Sequence, residues 1–317
     1  MADALRVHRY PLRDGIRPTP EFAKKKLAQF SVNVGIKCGH GCTYCSSGAL
    51  LRCHVGFKHA GESPFKHGYC IVDPDIPEKV ARDAARRRNR GMIQLCTTVD
   101  AWCPGAQQYV VGRRCLQAIL EQPGWTVRIL TKNAAVVRDF DLIQEHRDRV
   151  VVGLSLTGTA ACESALSVVE PLASPISERM DAMRRAHELG LRVYGMLCPL
   201  LPGIADSPEQ IEELVSFVKD CGAEEVFAEA VNSRGPGLRD TAESLRQAGF
   251  LEQAEAVSRI RKRPQWSAYT TGLIRSLQAS LRRHGLIDQF RFLLYPSALL
   301  ASDADSIRSD DAGVIWL

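Results

Sequence analysis

Lys37-Cys38-Gly39-His40-Gly41-Cys42-Thr43-Tyr44-Cys45 sets three cysteines at C-x3-C-x2-C spacing in a glycine-punctuated loop. Thiolates this close in sequence can each hold one iron of a cubane [4Fe–4S] cluster, and Gly39 and Gly41 permit the turns that wrap it. The remaining iron then lacks a protein ligand. An iron with an open position can chelate a small molecule through an amino group and a carboxylate, as S-adenosyl-L-methionine offers, and pass one electron into its sulfonium. Two other readings stay open: a structural zinc site completed by His40, and three cysteines without a common role. Zinc favours paired C-x2-C elements, whereas the gap from Cys38 to Cys42 is three residues.

Other reactive side chains fall where strands should end. Cys96, in Cys96-Thr97-Thr98-Val99-Asp100, carries an S–H able to quench a carbon radical by hydrogen transfer, or is an inert half-buried thiol. Cys103, in Trp102-Cys103-Pro104-Gly105, is a second candidate for that role or for a redox one. Lys132 closes an apolar run and brings a charge to the strand ends, and Ser155 closes the next run. Glu229, Asn232 and Arg234 gather after another, as ligand contacts or as a polar turn. Cys53, His54, His59, His67 and Cys70 could ligate a second metal, in a spacing that matches no zinc pattern.

These residues need a scaffold that brings strand ends together. From Ser31 to Val231 short β-branched runs alternate with amphipathic stretches, the pattern of βα units building a parallel sheet. Strands are expected at Ser31–Ile36, Met92–Leu95, Thr126–Leu130, Val150–Leu156, Arg192–Leu197 and Glu225–Ala230. Helices are expected near Pro77–Arg90, Tyr109–Glu121, Ala134–His146, Ser177–Leu189 and Pro208–Cys221. Ser207-Pro208-Glu209 supplies an N-cap and an N1 proline, and Gly190 and Gly222 sit where helices should stop. Six such units predict an α/β fold, a partial (β/α)6 TIM-type barrel, whose working end is the C-terminal edge of its strands. A doubly wound sheet competes, but no G-x-G-x-x-G follows the first strand. After Gly237 the strand rhythm is expected to stop, with long helices at Leu238–Lys262 and Gln265–His284. The resulting division is an N-terminal extension (1–30), the barrel (31–237) and a C-terminal helical cap (238–317).

With 317 residues and 45% hydrophobic content the chain can fill a sizeable core, so its 11 cysteines need not be a disulfide scaffold. No apolar stretch long enough for a membrane span and no signal-like core occurs, which predicts a soluble, cytoplasmic protein. The net charge of +5 and basic clusters at Lys24–Lys26, Arg82–Arg90, Arg259–Arg263 and Arg282/Arg283 permit nucleic acid as a partner. The same clusters also read as solvated helix faces, since Arg82, Arg86 and Arg90 recur every fourth residue.

The C-x3-C-x-Y-C pattern after the first strand resembles the radical S-adenosylmethionine superfamily. Within it the chain is similar to the spore photoproduct lyase-like group, through Leu95 to Asp100, Ile129-Leu130-Thr131-Lys132-Asn133 with Arg138-Asp139, Val169-Glu170-Pro171 running into Ser177-Glu178-Arg179, and Pro199 to Gly203. The resemblance implies a cluster on Cys38, Cys42 and Cys45, and a 5′-deoxyadenosyl radical that abstracts hydrogen from a substrate. It places Tyr44 near the adenine and Lys132 on the methionyl carboxylate. It adds Ser155 as a cofactor contact and a flavodoxin or ferredoxin as electron donor; Thr97, Glu229 and Asn232 are further candidate cofactor contacts from their positions at strand ends. Photoproduct lyases carry a hydrogen-donor cysteine after the second strand in a C-T-S-D context; here one extra residue separates Cys96 from Asp100. The implied substrate is a nucleic-acid lesion or modified base, with a small-molecule or peptide precursor as the alternative. A non-catalytic iron–sulfur or zinc protein that binds nucleic acid is the rival from another class.

Overall fold

Val150–Leu154 is buried at every position, as a strand covered on both faces must be. The computed structural model, which describes residues 5–317, places this strand in a sheet with Phe30–Val32, Met92–Leu95, Thr126–Thr131 and Arg192–Val193, all parallel. Arg17–Pro18 pairs antiparallel with Phe30–Val32 at one edge. A second parallel sheet runs Gly195–Leu200, Val226–Ala230, Phe290–Leu294 and Val314–Trp316. Amphipathic helices pack outside, such as Ile76–Arg86, which buries Ile76, Val80 and Ala84 at every fourth position. The Pro208–Asp220 helix is capped as its sequence predicts, Ser207 Oγ accepting from Gln210 N at 3.3 Å.

The α/β class and the parallel pairing agree with expectation, but among the described residues the strands do not close into one barrel sheet. The expected Arg192–Leu197 strand changes partner at Tyr194. Before it the chain pairs with Val151 and Val152; after it, with Val226–Ala230. A parallel bridge between Ser155 and Met196 joins the two sheets. Tyr194 turns its ring across Gly153, where a Cβ would lie 2.3 Å from the ring, so only glycine fits there.

Three further differences have local causes. The expected Ser31–Ile36 strand breaks at Asn33, whose side chain is bonded to Thr97 and Thr98; the chain resumes at Gly35–Lys37, in a small sheet with Arg6–Arg9 and Tyr69–Val72. The expected Leu238–Lys262 helix is two helices, Gly237–Gln247 and Leu251–Arg259, separated at Gly249 with φ +87°. The strand rhythm does not end at Gly237, since Phe290–Leu294 and Val314–Trp316 extend the second sheet. They are apolar runs with a face to bury, and Phe290, Phe292 and Leu294 are all buried.

The other face of the strands, lined by Val151, Tyr194, Met196, Phe227 and Leu293, is covered by Phe22 and Leu27 from the N-terminal segment. Arg128 crosses it: Nε donates to the Leu27 carbonyl at 3.1 Å, Nη2 meets Glu225 at 2.8 Å, and the guanidinium lies 4.6 Å from the centre of the Tyr194 ring. Burying an aromatic side chain such as Phe227 contributes about 1.5–3 kcal/mol, so residues 19–28 help to hold the strands whose far ends carry the site.

Candidate functional site

The cysteine loop leaves the Gly35–Lys37 strand and is tied down along its length. Gly39 N donates to Cys103 Sγ at 3.4 Å, Thr43 N to the Val169 carbonyl at 2.9 Å, and Leu172 N to the His40 carbonyl at 3.1 Å. Gly41 takes φ +71°, a left-handed turn that glycine adopts without strain. Cys38 is half-buried, Cys42 buried and Cys45 exposed. All three line one cavity of about 180 Å³, with Cys96 to Asp100 after the second strand, Thr131 and Lys132 at the end of the third, and Ser155 beyond the fourth. The cavity thus lies at the C-terminal ends of the parallel strands. The loop itself begins in the small sheet rather than at the end of the main sheet's Phe30–Val32 strand.

Asp100 joins the loops around this cavity. Its carboxylate accepts from Trp102 N at 2.8 Å, Thr131 Oγ1 at 2.9 Å and Lys132 N at 2.8 Å. Asn33 does the same for the segment after Cys96, accepting from Thr97 N and Thr98 N at 2.9 Å while its amide donates to Thr97 Oγ1 at 2.8 Å. Thr97 therefore reaches the cavity with its hydroxyl already an acceptor.

Lys132 does not arrive unpaired. Its ammonium lies 2.9 Å from Glu170 Oε1, donates to Ser155 Oγ at 2.9 Å and reaches the Cys198 carbonyl at 3.3 Å, so each of its three hydrogens has a protein acceptor. Ser155 Oγ in turn donates to the same carbonyl at 2.5 Å. Glu170 is also bonded by Tyr44 Oη and by Arg179, and Arg179 is 1% exposed. Burial alone would raise the Glu170 carboxyl, but Lys132 and then Arg179 outweigh it and hold the pKa at about 2. Tyr44 is the floor of this arrangement, with the Lys132 ammonium 5.6 Å from its ring centre.

Cys96 is 5% exposed and has φ +73°, a left-handed conformation that a non-glycine residue adopts at a cost of about 1–3 kcal/mol. Its N–H bonds the Val32 carbonyl at 2.8 Å, which holds the turn in place. Burial, then the Asp100 charge, push the thiol well up, so it keeps its proton at neutral pH. Because Cys96→Gly relieves the backbone while Cys96→Ala does not, the glycine variant should be the more stable by ~1 kcal/mol in urea unfolding. Equal stability would show that the turn stores no strain.

Glu229 and Asn232 do not join the cavity. They border a separate small void with Trp266 and Tyr295, and Asn232 Oδ1 accepts from Arg234 N at 2.8 Å, the polar-turn reading. Burial raises the Glu229 carboxyl against the pull of Lys25, and its nearest link to Lys132 is Cys198, whose Sγ lies 3.9 Å from Oε2. Cys103 is fully buried behind the cysteine loop and does not line the cavity. His54 caps the Val55–Ala60 helix. Among the described residues no group of three or more His, Cys, Asp or Glu side chains is arranged to hold a single metal ion, at residues 53–70 or around the cysteine loop with His40.

Sequence reading missed Glu170, Arg179 and Asp100 as site residues. Glu170 is a charge ending an apolar helix, and Arg179 sits on the buried face of Ile176–Glu188 beside Ile176, Met180 and Met183. A charge closing or interrupting a buried apolar face is the signal that marks Glu170 and Arg179; Asp100 lies in a loop and carries no such signal.

No family model matches the chain. Over most of its length it superposes on spore photoproduct lyase, with TM-scores of 0.54 and 0.52 at 17% identity, covering 77% of this chain and 66% of that protein. The fold is similar to that of spore photoproduct lyase. A further structure of that enzyme, with bound AdoMet and dinucleoside spore photoproduct, matches at TM-score 0.50 and 15% identity. A radical SAM methyltransferase from Sphaerobacter thermophilus is also similar, at TM-score 0.43 over 69% of the chain. By sequence the chain is 26% identical over 214 residues to an uncharacterized protein of Acidianus two-tailed virus, covering 66% of the chain and 69% of that protein. An uncharacterized protein of Methanocaldococcus jannaschii is 23% identical over 190 residues, covering 60% and 67%. No helix among the described residues is long and apolar enough to cross a membrane.

Proposed function

We propose that the chain is a radical S-adenosylmethionine enzyme, with its two parallel sheets serving as a partial (β/α)6 TIM-type barrel and residues 238–317 as a cap. One observation carries the reading: Cys38, Cys42 and Cys45 line a single cavity with Lys132, Ser155 and Cys96 at the strand ends. The donor set, three thiols from one short loop on the wall of one cavity, is of the kind that holds a cubane cluster. His40 Nε2, a buried nitrogen with no partner in the protein, belongs to the same wall. A [4Fe–4S] cluster held by Cys38, Cys42 and Cys45 would, with S-adenosyl-L-methionine and an electron from a donor such as flavodoxin or ferredoxin, supply the one-electron chemistry for hydrogen abstraction from a substrate.

The chain's own residues do the rest. Tyr44, Glu170 and Arg179 fix the Lys132 ammonium at the cavity wall, where it would hold a cofactor carboxylate in exchange for Ser155 Oγ or the Cys198 carbonyl. Thr97 and Ser155 present hydroxyls whose orientation is set by Asn33 and Cys198. Cys96 is the hydrogen donor: its S–H bond breaks homolytically, the hydrogen atom passes to a substrate carbon radical to form a C–H bond, and the unpaired electron is left as a thiyl radical on Cys96.

We place a nucleic-acid lesion or modified base as substrate, a class supported by the dinucleoside ligand of the structurally similar lyase and the net charge of +5. A small-molecule or peptide precursor is the second reading. It is favoured by the engagement of the basic clusters within the protein, as in Arg259 with Glu255 and Arg282 with Asp310. Binding that falls steeply with salt marks the first, and a flat response the second. The enzyme reading itself is tested by anaerobic loading with iron and sulfide: uptake of about four irons per chain with visible absorbance supports it, and a chain that stays colourless contradicts it.

A further inference from the structure

His40 lies between two of the proposed cluster ligands in sequence and is 2% exposed. Its Nδ1 stands 3.6 Å from Cys38 Sγ and 3.6 Å from Asp100 Oδ2. With Cys38 as the thiolate that cluster ligation requires, both neighbours are acceptors, so Nδ1 is then the nitrogen that carries hydrogen. A separation of 3.6 Å is within hydrogen-bond reach for a large sulfur atom and too long for an oxygen. The hydrogen therefore goes to Cys38, and Asp100 acts on the imidazole through its charge alone. The neighbours are anchored: Asp100 is held by Thr131, Lys132 and Trp102, and the loop backbone at Gly39 and His40 is held by Cys103 and Leu172.

From this geometry we infer, on the basis of the enzyme reading above, that His40 is a positioning residue for the cluster: it donates a hydrogen bond to the sulfur of Cys38 and so raises the reduction potential of the iron that Cys38 holds. Adding an electron to an iron–sulfur cluster increases negative charge on its sulfurs, so a donor aimed at one of them favours the reduced state. The three ligands are thereby unequal. Among the described residues Cys38 is the one of the three that lies against a ring nitrogen, while Cys45 is exposed to solvent.

The test is a redox titration of the cluster in the loaded full-length chain, followed by electron paramagnetic resonance of the reduced form. His40→Phe keeps a ring and removes the donor, and should lower the ratio of reduced to oxidised cluster roughly tenfold at the wild-type midpoint, at unchanged iron content. His40→Gln restores an N–H donor and should titrate close to wild type. A His40→Phe midpoint equal to wild type overturns the inference, as does failure of both variants to hold iron, which would make His40 a folding residue. If only His40→Phe fails to load, rescue by glutamine assigns the loss to the missing hydrogen bond and supports the inference. A wild-type chain that itself takes up no cluster contradicts the enzyme reading instead, so the two failures are separate.

Discussion

Glu170→Ala should cost about 3–5 kcal/mol of folding stability in urea unfolding of the metal-free chain at pH 7, the largest effect expected of any single charge removal here. The carboxylate is 2% exposed and lies between Lys132 and Arg179, and its removal leaves two cations in the interior without their counter-charge. Glu170→Gln keeps the shape and one acceptor for Tyr44 and should lose somewhat less. The pH dependence has a definite sign. The folded pKa, about 2, is below the ordinary value of 4.5, so the contribution is fully present above about pH 4.5 and is lost as pH falls through about 2. A shift of that size corresponds to about 3 kcal/mol, in line with the mutational estimate. Wild type should therefore lose stability over that interval while Glu170→Gln, relative to it, changes little. A loss below ~1 kcal/mol at pH 7 for the alanine variant would show that Lys132 and Arg179 find other partners.

Cys42→Ala should abolish the visible absorbance of the loaded chain and lower bound iron at least about tenfold. Of the three cysteines it is the buried one, in the middle of the loop, and the neighbouring Thr43 is anchored to Val169 by the backbone. Burial, and then the Glu170 carboxylate, push its thiol well up in the free chain, so loading must displace a firmly held proton, and no water can stand in easily for the missing sulfur. Wild-type absorbance and iron content in the alanine variant would remove Cys42 from the ligand set.

Much of this site was legible because it is local. Cys38, Cys42 and Cys45 announce themselves by spacing within one loop, and Lys132 and Ser155 by ending apolar runs whose strand character the structure bears out. What holds Lys132 was not legible, since Glu170 lies on the helix after the next strand and nothing near either residue encodes the pairing. His40 and Asp100 were visible as residues but not as neighbours, for the same reason. The fold divides in the same way. Met92–Leu95 and Pro208–Asp220 follow their local signals closely, whereas Phe290–Leu294 pairs with Val226–Ala230 across three intervening helices, which no local pattern specifies. The break at Asn33 depends on Thr97 and Thr98 from another loop, so the run Ser31–Ile36 looked continuous in sequence alone.

The most direct test of the central reading is the fate of S-adenosyl-L-methionine itself. With the cluster loaded and reduced anaerobically, wild type should cleave it to 5′-deoxyadenosine and methionine, detectable by mass, and Cys42→Ala should not. A fully loaded, reduced wild-type chain that releases no 5′-deoxyadenosine would contradict the assignment of this cavity to radical chemistry.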